Sequence, residues 1–418
     1  MSSLFVNADC VNNATREMLQ YTDVQDDFGY TKAPEANVML VKTSRQITNT
    51  VRDERTINPK DPYTWGAKDV KIQIDKMVDI MGPCTIYIDI GPLTNISGEA
   101  SAPNKELSWV NGLGFALFES IEVRCDTQGY AQRIEPLDQI LENSLFTYDE
   151  TRADSPTDSI WFLHNEKRQL KKLSQTGFTV KLRLPTWWGE HYRNYFNPKS
   201  ITTDQMYLYF KFNTLMNLVS YDGWSTPVIP NASINNFKMG QEVFYLNPAE
   251  EALSRAAEYS VMIREYIKTT SYRVPTPTTV FSQPISYSVP VTQFIIRFRD
   301  ASDESMTNVN RLWDCSEPCS RIQLMINNKV RWDVNKFYCR DKWWKELYSR
   351  HPRNPYYLIP LCLDPTADFP TGGHNWNAIQ NSQFTFTFDT PWQGVIDIIP
   401  VTFNYVTVQG KKLRRSFY

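Results

Sequence analysis

The sequence predicts an all-β chain of packed antiparallel sheets, arranged in two similar halves. Three observations carry that expectation. Apolar and polar residues alternate with period two in segment after segment, as strands with one buried face require. Aromatic residues make up 13% of the 418 residues and 25 prolines outnumber 16 glycines, a composition that fits sheets joined by ordered loops. The clearest helix signal stands at mid-chain with strand candidates on both sides, so strands follow strands without the alternation of βαβ units. A chain of this length can bury two sizeable cores.

Taken in order, residues 1–65 read as an N-terminal arm, polar and irregular, with VRDERTINPKDPYTW as an extended stretch. Alternation begins at Val70: Val70, Ile72 and Ile74 share one face, and Lys71, Gln73 and Asp75 the other. CTIYIDIG repeats the pattern with Ile86, Ile88 and Ile90, and FALFESIEVRCD supplies a third run before the turn-like TQG. FTVKLRLP (Phe178–Pro185), MYLYFKFN (Met206–Asn213) and FKMGQEVFYL (Phe237–Leu246) are further strands. NPAEEALSRAAEYSVMIREYI (Asn247–Ile267) breaks the rhythm as a helix. Asn247 can cap it, Pro248 suits its first position, and Glu250 and Glu251 complement the dipole at its start. Leu253, Ala256, Ala257, Val261 and Ile263 would form its apolar stripe. Strand signals resume in QPISYSVP, VTQFIIRFRD and RIQLMINNKVRWDV. A second helix follows around KFYCRDKWWKELYSR, and YYLIPLCLD, SQFTFTFD and GVIDIIPVTFNYVTV complete the series.

Chemistry finds little foothold. With 44 Lys+Arg against 46 Asp+Glu, the chain has no net field to steer nucleic acid. No apolar run reaches the roughly 18–20 residues a membrane-spanning helix needs. MSSLFVNADCVNN lacks the basic start and hydrophobic core of a secretory signal, so the N-x-[ST] sequons at Asn13, Asn95 and Asn231 carry little weight. Seven scattered cysteines, an odd number, point to reduced thiols in an intracellular setting. The four histidines, His164, His191, His351 and His374, show no metal-ligand spacing. Cys315 and Cys319 in CSEPCS, with Cys339 as a third ligand, offer half a zinc site and read first as a proline turn with small buried side chains. GxSxG, P-loop and dinucleotide motifs are missing. His191 in WWGEHYRNYF, beside Glu190, reads as part of an aromatic loop at a strand end. GKKLRRSFY reads first as a solvated basic tail. No catalytic residue, metal or cofactor is therefore expected.

Four stretches remain that share an order. SWVNGLGFALFESIEVRCDTQGYAQRIEPLDQILENSL (Ser108–Leu145) leads from an aromatic and glycine start through SIEVRCDTQ to a helical PLDQILENSL. VKLRLPTWWGEHYRNYFNPKSI (Val180–Ile201) is a strand ending in a proline and an aromatic pair. EVFYLNPAEEALSRAAEYSVMIREYI opens the second half with an acidic helix. PTGGHNWNAIQNSQFTFTF sets Gly372, Gly373 and Asn375 before a polar turn, Ile379, and an alternating strand through Phe384. In this order the four resemble the double jelly-roll major capsid proteins of nucleocytoplasmic large DNA viruses and related DNA viruses. The ending GKKLRRSFY departs from the asparagine-rich end common in the large-virus members.

The resemblance implies two consecutive eight-stranded antiparallel jelly rolls, with a few short helices in loops and between the halves. The arm would span residues 1–65, the first jelly roll 66–246, and the connecting helix with the second jelly roll 247–418. It implies no enzyme but a major capsid protein located in the virion, whose homotrimers are pseudo-hexameric capsomers tiling an icosahedral shell. Partners would be neighbouring capsomers, minor capsid and penton proteins, and an internal membrane within reach of the arm, with no specific nucleic-acid binding. Gly372, Gly373 and Asn375 then form a structural corner ahead of Phe384, Phe386 and Phe388. Trp187, Trp188, Trp224, Trp343 and Trp344 are the candidate interface anchors, because Trp, Tyr and Arg dominate such contacts. Two other readings stand beside it. One is a scaffold of immature virions with the same fold. The other is a carbohydrate-binding or carbohydrate-hydrolysing β-sandwich, whose hydrolase form would need two facing carboxylates.

Overall fold

The computed structural model describes residues 51–97, 104–125, 131–136, 167–189, 194–202, 204–256, 258–349, 352, 354–367 and 370–415. From Arg52 onward the chain forms one compact unit. The alternating segments of the first half become β1 (Val51–Ile57), β2 (Val70–Gln73), β3 (Ile80–Ile90), β4 (Phe118–Cys125), β5 (Ala131–Ile134), β6 (Phe178–Arg183), β7 (Met206–Phe212) and β8 (Ile234–Tyr245). They build two four-stranded sheets, in the orders β1-β8-β3-β6 and β2-β7-β4-β5. The partnerships β1·β8, β2·β7, β3·β6 and β4·β5 nest inside one another, as the rungs of a single long hairpin do when it is rolled up. Pairing of β8 with β3 and of β7 with β4 then completes the sheets.

The second half repeats this wiring with β9 (Tyr259–Tyr266), β10 (Thr270–Pro284), β11 (Gln293–Asp300), β12 (Cys319–Ile326), β13 (Lys329–Asn335), β14 (Tyr357–Pro360), β15 (Ser382–Gln409) and β16 (Lys412–Arg415). β10 and β15 each pass through both sheets. Thr270–Val274 pairs with Gly394–Ile398 on one side of a break in register, and Val280–Pro284 pairs with Gln383–Thr387 on the other. β11 pairs with β14 and with Gly394–Val401, and β12 pairs with β13 and with Ser382–Phe388. Counting each long strand as two gives the same nested set. Among the described residues the three longest α-helices are α1 (Lys167–Thr176), α2 (Pro248–Ala256) and α3 (Trp343–Tyr348).

Alternation places one side of each strand in a core. In the first half Val70, Ile72, Ile86, Ile88, Ile121, Val123, Leu208 and Phe210 form it. In the second half Phe298 is its centre, meeting Tyr357, Phe386 and Trp392 edge to face at 5.1, 5.5 and 5.6 Å. Each such side chain stabilises the fold by about 1.5–3 kcal/mol on burial, and edge-to-face pairs add about 0.5–1.5 kcal/mol.

Several expectations need correction. Within the stretch expected as an arm to residue 65, Val51–Ile57 is a strand paired with β8. The helix expected over Asn247–Ile267 stops at Ala256. Tyr259–Tyr266 is instead a strand in register with Val401–Val408, where tyrosine, valine and isoleucine suit the pleat. Its supposed apolar stripe is divided: Leu253 is 74% exposed, whereas Ile263 is buried by strand alternation. The strand expected at QPISYSVP lies upstream, as β10, and was hidden by its prolines. Pro275 and Pro277 sit at the register break between Val274 and Thr278, a place where a residue without an N–H is tolerated. Within the basic tail Lys412–Arg415 is β16, with Leu413 fully buried. The helix expected at PLDQILENSL lies outside the described residues.

Candidate functional site

The GGH stretch is a backbone corner with particular demands. Gly372 and Gly373 have φ of 143° and 152°, which a side chain rarely allows. A Cβ on Gly373 would stand 3.0 Å from the Val291 carbonyl oxygen, so strand His374–Asn375 can lie against Pro290–Val291 only with glycine before it. The Asn375 side-chain oxygen accepts from the Asn377 amide at 3.1 Å and caps the tight turn Trp376–Ala378. Trp376 is buried there, and its indole donates to Ser382 Oγ at 2.9 Å. Burial, followed by the charge of Arg331, lowers the His374 pKa, and the ring packs edge-on against Trp332 at 5.5 Å. A cleft of about 530 Å³ adjoins the corner, lined by Arg264, Thr292, Asp364, Thr371 and Phe403 among others. Arg264 donates to the Pro365 carbonyl at 3.1 Å, and burial pushes the Cys362 thiol up.

The tryptophans divide. Trp187, Trp188 and Trp344 are fully buried within the single chain, so they cannot anchor a neighbouring copy as expected. Trp187 stacks on Phe196 at 5.0 Å and meets Trp188 edge-on at 5.4 Å, while the Trp344 indole donates to the Tyr356 carbonyl at 2.8 Å. Sequence reasoning took an aromatic pair in a polar loop for surface, but burial is decided by contacts far along the chain. Trp224 and Trp343 are half-buried. Lys105 Nζ lies 4.9 Å above the Trp224 ring, and Trp343 packs across two apolar clusters of the second half. Among the described residues no group of three or more His, Cys, Asp or Glu could hold a metal ion. Cys319 and Cys339 are buried and Cys315 half-buried, and burial pushes the Cys315 and Cys339 thiols up to about 12. His164, Glu190, His191 and His351 lie outside the described residues.

Sequence reasoning missed the seam between the two halves. The loop 301–316, between β11 and β12, reaches over to the first half. The Met306 carbonyl accepts from the Tyr221 amide at 3.0 Å and from Ser220 Oγ at 2.9 Å. The Val309 carbonyl accepts from the Asn111 amide at 2.6 Å, and Asn111 Nδ2 donates to Asn310 Oδ1 at 2.8 Å. Arg311 donates to the carbonyls of Met216 and Asn217 at 3.1 and 2.6 Å. Those carbonyls end the short turn Leu215–Leu218, where free acceptors and the local dipole favour a cation. The Trp313 indole donates to the Asn111 carbonyl and is buried among first-half residues. Gly112 makes room: its φ is 64°, and a Cβ there would stand 2.5 Å from Trp313 Nε1. The one sequence signal was the Asn111-Gly112 pair, a turn dipeptide preceding a strand.

No protein-family model and no curated protein sequence matches the chain. Solved structures do. The PBCV-1 virus capsid aligns at a TM-score of 0.69 and 12% identity, covering 90% of this chain and 98% of the other. The Faustovirus major capsid protein aligns at 0.66 and 11% identity, over 94% and 96% of the two chains. The mavirus major capsid protein aligns at 0.53 and 8% identity, over 93% and 95%. The fold is the double jelly roll.

Two further features hold the jelly rolls of this double jelly roll together. Beneath the seam loop, Asp397 is 1% exposed and accepts from Arg297 at 2.7 Å, Arg299 at 2.8 Å and Ser271 at 2.6 Å. Burial alone would raise its pKa, but the two guanidiniums hold it below the usual carboxylate range. Arg297 also donates to the Leu312 carbonyl at 2.7 Å, so the ion cluster fixes the loop that carries Trp313. Beyond the second roll proper, β9, the end of β15 and β16 form a small sheet whose Ile263, Val406, Val408 and Leu413 complete the core of the first roll. Arg415 pairs with the buried Glu265, which burial pushes up despite that partner.

Proposed function

We propose that this protein is a major capsid protein. Three copies associate into a pseudo-hexameric capsomer of six jelly rolls, and capsomers tile the facets of an icosahedral DNA-virus shell. The observation that carries the reading is likeness at full length, with at least 90% of this chain aligned on at least 95% of each capsid protein compared. The seam adds a physical argument. A tile must hold the angle between its two rolls, and Trp313, Arg311 and Leu413 fix that angle from inside the chain. A head-to-tail interface closes after three copies, and its area should exceed the roughly 1,600 Å² of a standard complex.

In this reading the role is structural, in the virion, without catalysis or cofactor. Residues before β1 form an arm toward the shell interior, within reach of minor capsid proteins or a membrane. The first roll runs from β1 to β8, and α2 introduces the second. Gly372, Gly373 and Asn375 serve as a corner, and Trp224 and Trp343 are the aromatic anchors left for a neighbouring copy. Light scattering with negative-stain electron microscopy tests it. A particle near three times 48.7 kDa with a hexagonal top view is expected; a stable monomer at micromolar concentration would overturn the reading.

A further inference from the structure

A two-stranded ribbon on the first roll, Thr94–Asn95 with Pro230–Asn231, brings two sequons together: Asn95-Ile96-Ser97 and Asn231-Ala232-Ser233. Pro230 lies opposite Asn95 and Asn231 opposite Thr94, and the Ile96 amide donates to the Ile229 carbonyl at 3.0 Å. Alternation and cross-strand pairing put Thr94, Ile96, Ile229 and Asn231 on one face. That face is open: Ile96 is 61% and Ile229 52% exposed, and Thr94 and Asn231 are exposed beside them.

The two asparagines differ in what their carboxamides do. Asn95 Oδ1 accepts from the Ser97 amide at 3.1 Å and the Ile229 amide at 3.0 Å, and its Nδ2 donates to Ser97 Oγ at 2.8 Å. A sugar on that nitrogen would disrupt the ribbon. Asn231 points outward with Ser233, while Ala232 between them is buried and its carbonyl accepts from the Trp65 indole at 2.6 Å. The second sequon is therefore pinned from below and open above.

We propose that Asn231 is a glycan acceptor, and that the sugar covers the exposed Ile96 and Ile229. The donor is a sugar activated at C1 as a phosphate or pyrophosphate ester. The bond from Asn231 Nδ2 to C1 forms, the C1–O bond breaks, the phosphate leaves with its electron pair, and Nδ2 gives one proton to a base. An apolar pair on an open face is the kind of surface a bulky, soluble glycan shields. The transfer occurs either in a secretory lumen or on a cytosolic transferase.

The test is peptide mass spectrometry, before and after an N-glycan-releasing amidase, on the full-length chain. The chain is made in eukaryotic cells with and without a luminal leader. Expected is a glycan on the Asn231 peptide in at least one form, retained in Asn95→Gln and lost in Asn231→Gln, with Asn95 bare in folded protein. The form that carries the glycan identifies the source of the donor. Bare Asn231 in both forms overturns the proposal, as does occupancy of Asn95 equal to or above that of Asn231. An unchanged melting temperature for Asn231→Gln assigns the loss to the acceptor rather than to misfolding.

Discussion

The two rolls share their wiring and differ in how their sheets are joined. In the first, β1 and β2 are separate strands linked by residues 58–69, and β7 and β8 are linked by residues 213–233. In the second, the corresponding strands are fused into β10 and β15, which bend from one sheet into the other near Thr278 and Gly394. The loops of the first roll become contact surface: Met216, Asn217, Ser220 and Tyr221 all serve the seam. The fused strands of the second have no such linking loops, and in return tie both of its sheets to one continuous backbone. One roll receives the seam and the other projects it.

The sharpest way to break this comparison is to hollow the fused roll. Phe298→Ala should lower unfolding free energy by about 3–5 kcal/mol, read from guanidinium titration. Because β9, β15 and β16 complete the first roll, one transition should move as a whole; two separated transitions would mean that the rolls are independent. A milder cut targets the seam. Trp313→Phe keeps much of the packing but leaves the buried Asn111 carbonyl without its indole donor, a loss of about 1–3 kcal/mol. An unchanged midpoint would show that the loop merely rests on the first roll.

Acidity sharpens the comparison further. The pKa of Asp397 is lowered by its arginines, so its contribution is complete above the ordinary carboxylate range near pH 4 and falls away below it. Glu265 is shifted the other way by burial. Its contribution is complete below about pH 4.3 and is lost as pH rises through its raised value. Melting curves from pH 3 to 8 should show both limbs in the wild type, and Glu265→Gln should remove the loss on the upper one. The smallest effect is expected on α2, where Leu253→Ala should change stability by under about 0.5 kcal/mol because the side chain is 74% exposed. A larger loss would return the helix to the core that its sequence pattern suggested.

The sheets were legible because strand alternation is local: Val70 to Ile74, Ile86 to Ile90 and Phe384 to Phe388 declare their faces within a few residues. β10 was not, since prolines at a bend imitate a loop. Tyr259–Tyr266 was not, since its apolar spacing extends a genuine helix start, and only pairing with residues far ahead decides against it. The seam had no periodic signal at all. DASDESMTNVNRLWDC is polar and irregular, and its meaning comes from backbone carbonyls nearly a hundred or more residues away. Trp187, Trp188 and Trp344 misled for the same reason, because exposure is a property of the finished contact set.

The length of β15 also sets an order of events. At about 3.3 Å per residue, its 28 residues extend over roughly 90 Å. It supplies neighbours to β9, β10, β11, β12 and β16, and of these only β16 is made after it. On a ribosome adding about 5–20 residues per second, the chain waits on the order of ten to thirty seconds between finishing Tyr245 and releasing Gln409. During that interval the first roll lacks Val406, Val408 and Leu413, and the second lacks its central strand. A message cut short, or a ribosome that stalls, therefore yields a chain with two unfinished cores rather than one finished roll and one unfinished. This late strand acts as a completeness check, so that defective copies stay visible to proteases and chaperones.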